Sequence, residues 1–85
     1  MAANAKDFQN QLNEIFSYAE EKGLVAVVVR SGDLHRLIGG YPGPDHRMPV
    51  CCDVMYQNQG PGDILEGAPP KGKGANVIIR YNFPR

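Results

Sequence analysis

Fifteen of the seventeen glycines and prolines in this 85-residue chain fall between Gly39 and Pro84, and that distribution constrains the fold most. Uninterrupted regular structure is open to the first half, while the second half must be built from short elements joined by turns. From Lys6 to Lys22 neither residue occurs, and Phe8, Leu12, Ile15, Phe16 and Ala19 recur at the spacing of one helical face. This predicts an amphipathic helix, stopped by Lys22 and Gly23, a basic last turn followed by a residue suited to the left-handed conformation. Residues 1–5 are expected to be disordered. Leu24 to Arg30 follows, rich in β-branched residues and lacking polar alternation, and reads as a short strand buried on both faces.

Ser31, Gly32 and Asp33 supply an N-cap and an acidic first turn, and Leu34, Leu37 and Ile38 have helical spacing before Gly39 and Gly40. A short second helix is the primary expectation. The alternative is a strand over Leu34–Gly39 pairing back onto Leu24–Arg30 through a turn at Ser31–Asp33. Gly39 to Pro44 cannot be helical and must form an ordered loop or sharp turn. Asp45 or Met48 can start a third helix reaching about Gln57, with Pro49 tolerated in its first turn. Its inner face would be Val50, Val54 and one of Cys51 and Cys52. Asp63–Glu66 is a short strand candidate. Asn76–Phe83 is a stronger one, with Val77, Ile79, Tyr81 and Phe83 on one face. Between them Gly67–Gly74 forms a long hairpin loop with Lys71 and Lys73 and no acid.

The order is helix, strand, helix, helix, strand, loop, strand: an α+β, winged-helix-like arrangement, in which the third helix enters a groove and the hairpin loop is the wing. The alternative architecture is a small α+β domain with a three- to four-stranded antiparallel sheet packed against two helices. A chain of 9.3 kDa, 42% hydrophobic and 21% charged, has room for one core and hence one domain, residues 1–85.

Composition also narrows the chemistry. The longest apolar run, Leu24–Val29, is six residues, far short of a membrane span, and Met1–Asp7 has no apolar signal region. Adjacent Cys51 and Cys52 cannot form a structural disulfide framework, so a reducing, cytoplasmic location is expected.

A likeness to a known group rests on five stretches: Ser-Gly-Asp-Leu-His-Arg at 31–36, Gly-Gly-Tyr-Pro-Gly at 39–43, His-Arg-Met-Pro at 46–49 with Cys51 and Cys52, Pro-Pro-Lys-Gly-Lys-Gly-Ala at 69–75, and Ile-Arg-Tyr at 79–81. In these the chain resembles a small family of uncharacterised bacterial proteins. The resemblance covers most of the chain from about Leu24 and implies a bacterial, self-contained cytoplasmic domain. It carries over no activity, cofactor or site residue.

Several familiar motifs fail on inspection. Gly67-Ala-Pro-Pro-Lys-Gly72-Lys73 matches the first seven positions of a phosphate-binding P-loop, but Gly74 stands where Ser or Thr would hold magnesium, and a strand follows where a helix N-terminus is needed. His35, His46, Cys51 and Cys52 are all zinc-ligand types, yet adjacent cysteines on a helix diverge by about 100° and cannot easily share a metal. His46 lies five residues before Cys51 and could serve a thiol nucleophile, but neither Asp45 nor Asp53 is marked by spacing as its orienting partner. No catalytic residue, metal or cofactor is therefore named, and a non-enzymatic role is expected.

Charge patterning is more informative than the net charge of zero. Residues 1–23 hold two lysines against four acids. Residues 48–66 hold Asp53, Asp63 and Glu66 with no base, and residues 67–85 hold Lys71, Lys73, Arg80 and Arg85 with no acid. The first functional expectation is a weak nucleic-acid-binding module that uses the hairpin loop and the start of the third helix, through Arg36, His46, Arg47, Lys71, Lys73 and Arg80. The second, from a different class, is a protein-interaction or homodimerisation domain whose surface includes Tyr41, Met48, Met55 and Tyr56. A metal- or thiol-dependent enzyme ranks third.

Overall fold

The computed structural model describes residues 4–39, 47–70 and 72–84. The first helix, α1 (Ala5–Glu21), starts with a capping box: the Asn4 side chain accepts from the Asp7 backbone N–H, and the Asp7 carboxylate accepts from that of Asn4, both at 3.0 Å. Residues 4 and 5, expected to be disordered, are thus part of the helix start. At the other end Lys22 is the cap and Gly23 takes φ 69°. Gly23 N–H then reaches Glu20 O and Leu24 N–H reaches Ala19 O, the paired bonds of a Schellman motif. The buried face is Phe8, Leu12, Phe16 and Ala19, with Ile15 packed beside it.

Strand β1 (Ala26–Arg30) runs directly into α2 (Ser31–Ile38), so the strand alternative for Leu34–Gly39 is not adopted. Helix α3 (Met48–Gln57) and strands β2 (Ile64–Gly67) and β3 (Ile78–Asn82) complete the fold. The architecture is α+β, with three helices and one antiparallel open sheet in the order β1-β3-β2. Val28 and Ile64 both lie opposite Arg80 in the register. β2 carries a bulge between Leu65 and Gly67.

The helices sit on the inner sheet face, where Val29, Ile79 and Tyr81 join Val77 and Phe83 in the core. Phe16 packs edge-on against Tyr81 and Phe83, and the Tyr81 hydroxyl donates to Met55 O at 2.8 Å. The outer face has no such cover among the described residues. Val28 is 54% exposed and Ile64 51%. The expectation that Leu24–Arg30 is buried on both faces is therefore wrong. β-branched residues suit a half-exposed strand as well as a buried one, so the run of valines could not separate the two.

Helix α3 departs from expectation in the opposite sense. Both cysteines are buried, together with Met48, Val54 and Met55, while Val50 is only half-buried. Cys51 faces α2, its thiol donating to Ser31 O at 3.5 Å, and Cys52 faces the β2–β3 connection. The helix is covered on two sides, which widens its apolar sector beyond a single stripe. Among the described residues no helix is long and apolar enough to cross a membrane.

Candidate functional site

The connection from β2 to β3 is fastened along the N-terminus of α2 and the side of α3. Ser31, expected to cap its own helix, instead sits inside α2 with its hydroxyl directed at this connection. It donates to Gly74 O and accepts from Val77 N–H, while its own N–H donates to Val77 O. The cap position falls to Arg30, which makes no side-chain cap bond. Gly32 N–H donates to Ala75 O at 2.9 Å, and a Cβ on Gly32 would lie 3.0 Å from that same oxygen, so glycine is what lets the two segments approach. Cys52 Sγ and the Gly74 backbone exchange contacts at 3.2 and 3.3 Å, and Tyr56 donates from its hydroxyl to Gly72 O at 2.5 Å.

Lys73 reaches from this connection to Asp53 on α3, with Nζ 2.7 Å from Oδ1. Hydrogen bonding to the Asp53 carboxylate holds the Lys73 ammonium above its ordinary range. Asp53 is the single acid in α3, so the helix presents no uncompensated negative charge. Burial raises the Tyr56 phenol, consistent with its role as a neutral donor to Gly72.

The entry to α3 is set from below. His35 is fully buried, its ring edge-on to Phe8 at 4.9 Å, and its Nε2 accepts the backbone N–H of Arg47 at 2.8 Å. Arg47 is the N-cap residue of α3 and is exposed. A histidine that had the look of a metal ligand in the sequence is thus a core residue positioning the start of α3.

The residues expected to touch nucleic acid divide into groups. Arg47 stands at the start of α3 and Lys73 lies along its side, held by Asp53. Arg36 projects from α2 with its guanidinium 3.5 Å from Asp33, a carboxylate that Arg30 also reaches at 3.2 Å. Arg80 does not join them: it occupies the outer sheet face between Val28 and Ile64. His46 and Lys71 lie outside the described residues. Of the residues expected on an interaction surface, Met48 and Met55 are core, at 4% and 0% exposure, because α3 is packed on two sides. Tyr56 is half-buried under the connection, and Tyr41 lies outside the described residues.

Sequence reasoning missed Ser31 and Asp53 as organisers of this site. The signal for Asp53 was present, since an acid-free loop with two lysines lies two elements away from a helix with one acid. Among the described residues no three His, Cys, Asp or Glu side chains gather as a metal site would require. No protein-family model, curated protein or solved structure matches the chain.

Proposed function

We propose that the chain is a small nucleic-acid-binding module of winged-helix type, contacting phosphate through Arg47, the exposed side of α3 and the basic β2–β3 connection. What supports this reading is the connection's attachment to α3: an α2–α3 pair is followed by an antiparallel hairpin whose lysine-bearing loop is held beside the second helix. The sheet order is β1-β3-β2, and Lys73 of this loop pairs with Asp53, six residues after Arg47 at the start of α3. Arg36 lies on α2, beside Asp33. Arg80, on the outer sheet face, has no part in the contact.

The contact is weak by construction. The net charge is zero, and Lys73 is engaged by Asp53. Each phosphate neutralised adds roughly −0.9 to the slope of log affinity against log salt, so a footprint of two or three cations predicts a shallow dependence. Titration of a labelled short duplex from low to moderate salt measures it. Arg47→Ala is expected to reduce the slope by about one and to weaken binding uniformly across sequences. Asp53→Asn, which releases Lys73, is expected to tighten binding and steepen the slope by about one. Arg80→Ala should leave both unchanged. Absence of binding by the unaltered chain at low ionic strength overturns the proposal.

A further inference from the structure

The geometry points to β1 as the pairing edge of a two-fold dimer formed by two copies of this chain. β1 is an end strand of the sheet, and among the described residues no strand lies on its far side. Its hydrogen-bond phase is fixed by its neighbours: Phe83 N–H donates to Val25 O and Ser31 N–H to Val77 O, both at 2.8 Å. In an antiparallel ladder the residues that bond to the partner strand alternate with those that do not. Residues 25, 27, 29 and 31 therefore turn their backbone groups toward β3, and Ala26, Val28 and Arg30 turn theirs outward.

This outward set is complementary to itself. In an antiparallel pairing centred on Val28, the N–H and C=O of Val28 in one copy meet those of Val28 in the other. Ala26 of each copy meets Arg30 of its partner. The middle of the contact is apolar, since Val28 there is 54% exposed. The one charged residue of the strand is at its end. Antiparallel pairing sets the two Arg30 residues four positions apart, about 14 Å at roughly 3.4 Å per residue, beyond the ~8 Å screening length of physiological salt. Each chain has zero formal charge, so no long-range repulsion opposes approach.

A second copy fits this edge, because the antiparallel register that matches its donors and acceptors also keeps the two Arg30 charges apart. The surface is distinct from the one expected at Met48 and Met55, and the inference is independent of the nucleic-acid reading. A five-residue ladder is small beside the roughly 1,600 Å² of a standard interface, so the dimer is expected to form in the micromolar range rather than below it.

Sedimentation velocity of the full chain over a concentration series tests this, with Val28→Lys and Val28→Glu as variants. Val28 is exposed and its backbone bonds face outward, so both variants are expected to keep the monomer fold, which thermal unfolding checks. Each variant alone sets like charges directly opposite across the axis and is expected to be monomeric. Mixed in equal amounts, the two are expected to recover the dimer. A monomeric unaltered chain at all concentrations overturns the proposal. So does a dimer that persists in both variants, a mixture that fails to pair, or binding of strand-forming peptides without self-association.

Discussion

Phe8→Ala is expected to lower stability by about 4 kcal/mol, within the range of roughly 3–5 for removing a buried phenylalanine side chain. Phe8 is fully buried on the inner face of α1 and its ring meets the edge of His35. An 85-residue domain has only about 4–13 kcal/mol in total, so the loss takes a large share. The thermal midpoint should fall by about 15–30 °C, at 4–8 °C per kcal/mol for a domain of this size. Phe8→Leu, which retains most of the apolar volume, should cost about 1–2 kcal/mol. Urea unfolding measures both, and a loss below 1 kcal/mol for Phe8→Ala would show that the α1–α2 contact does not support the core. Because His35 holds the Arg47 N–H, the deletion is also expected to loosen the start of α3, visible as faster amide exchange there before global unfolding.

The second large effect concerns the thiols. Burial, reinforced by the neighbouring Cys52, pushes Cys51 from the ordinary 9.0 up to about 12. Since the thiolate is the reactive species, a rise of that size lowers its population at pH 8 by on the order of a thousandfold. Native protein should therefore be alkylated at Cys51 at a rate set by opening of the fold, whereas the chain in denaturant should react at the rate of a free thiol. Mass spectrometry after timed iodoacetamide exposure reads the difference, and comparable rates in the two conditions would refute it. The stability consequence has a definite sign. A thiol raised in the fold leaves stability unaffected below the unfolded value near 9 and lowers it as pH climbs from 9 toward 12. Cys51→Ala should remove that alkaline component, at the expense of a small cavity.

What the sequence made legible was local. Phe8, Leu12, Phe16 and Ala19 declared α1 through a period that only a helix satisfies, and Val77, Ile79, Tyr81 and Phe83 declared β3 by alternation. Gly23 marked the end of α1 because its positive φ is a demand that one residue meets cheaply. The candidate site was legible in its charges but not in its bonds. Ser31 and Gly74 are 43 positions apart, and nothing in either neighbourhood signals the other. The choice of Ser31 as a cap followed a sound local rule that a long-range partner overrode. Cys51 and Cys52 were split between inside and outside for the same reason: a helix seen alone has one buried face, and the second cover came from the β2–β3 connection.

That connection has a further use as a reporter. Tyr56, Asp53 and Cys52 each hold one point along it. Displacement by a ligand should change the environment of a tyrosine in a chain without tryptophan. Tyrosine fluorescence thus offers a label-free readout of whether the loop stays in place when duplex is bound.

The bulge at Leu65–Gly67 gives the sheet two unlike ends. A bulge leaves a residue unmatched and twists the strand away from a regular ladder, whereas β1 is unbroken. If two copies join through β1, the ends left over are both β2, and neither offers a flat template for a third. Growth would stop at two, so the protein would form a closed pair and not a fibre, with the irregular strand serving as the terminator of its own assembly.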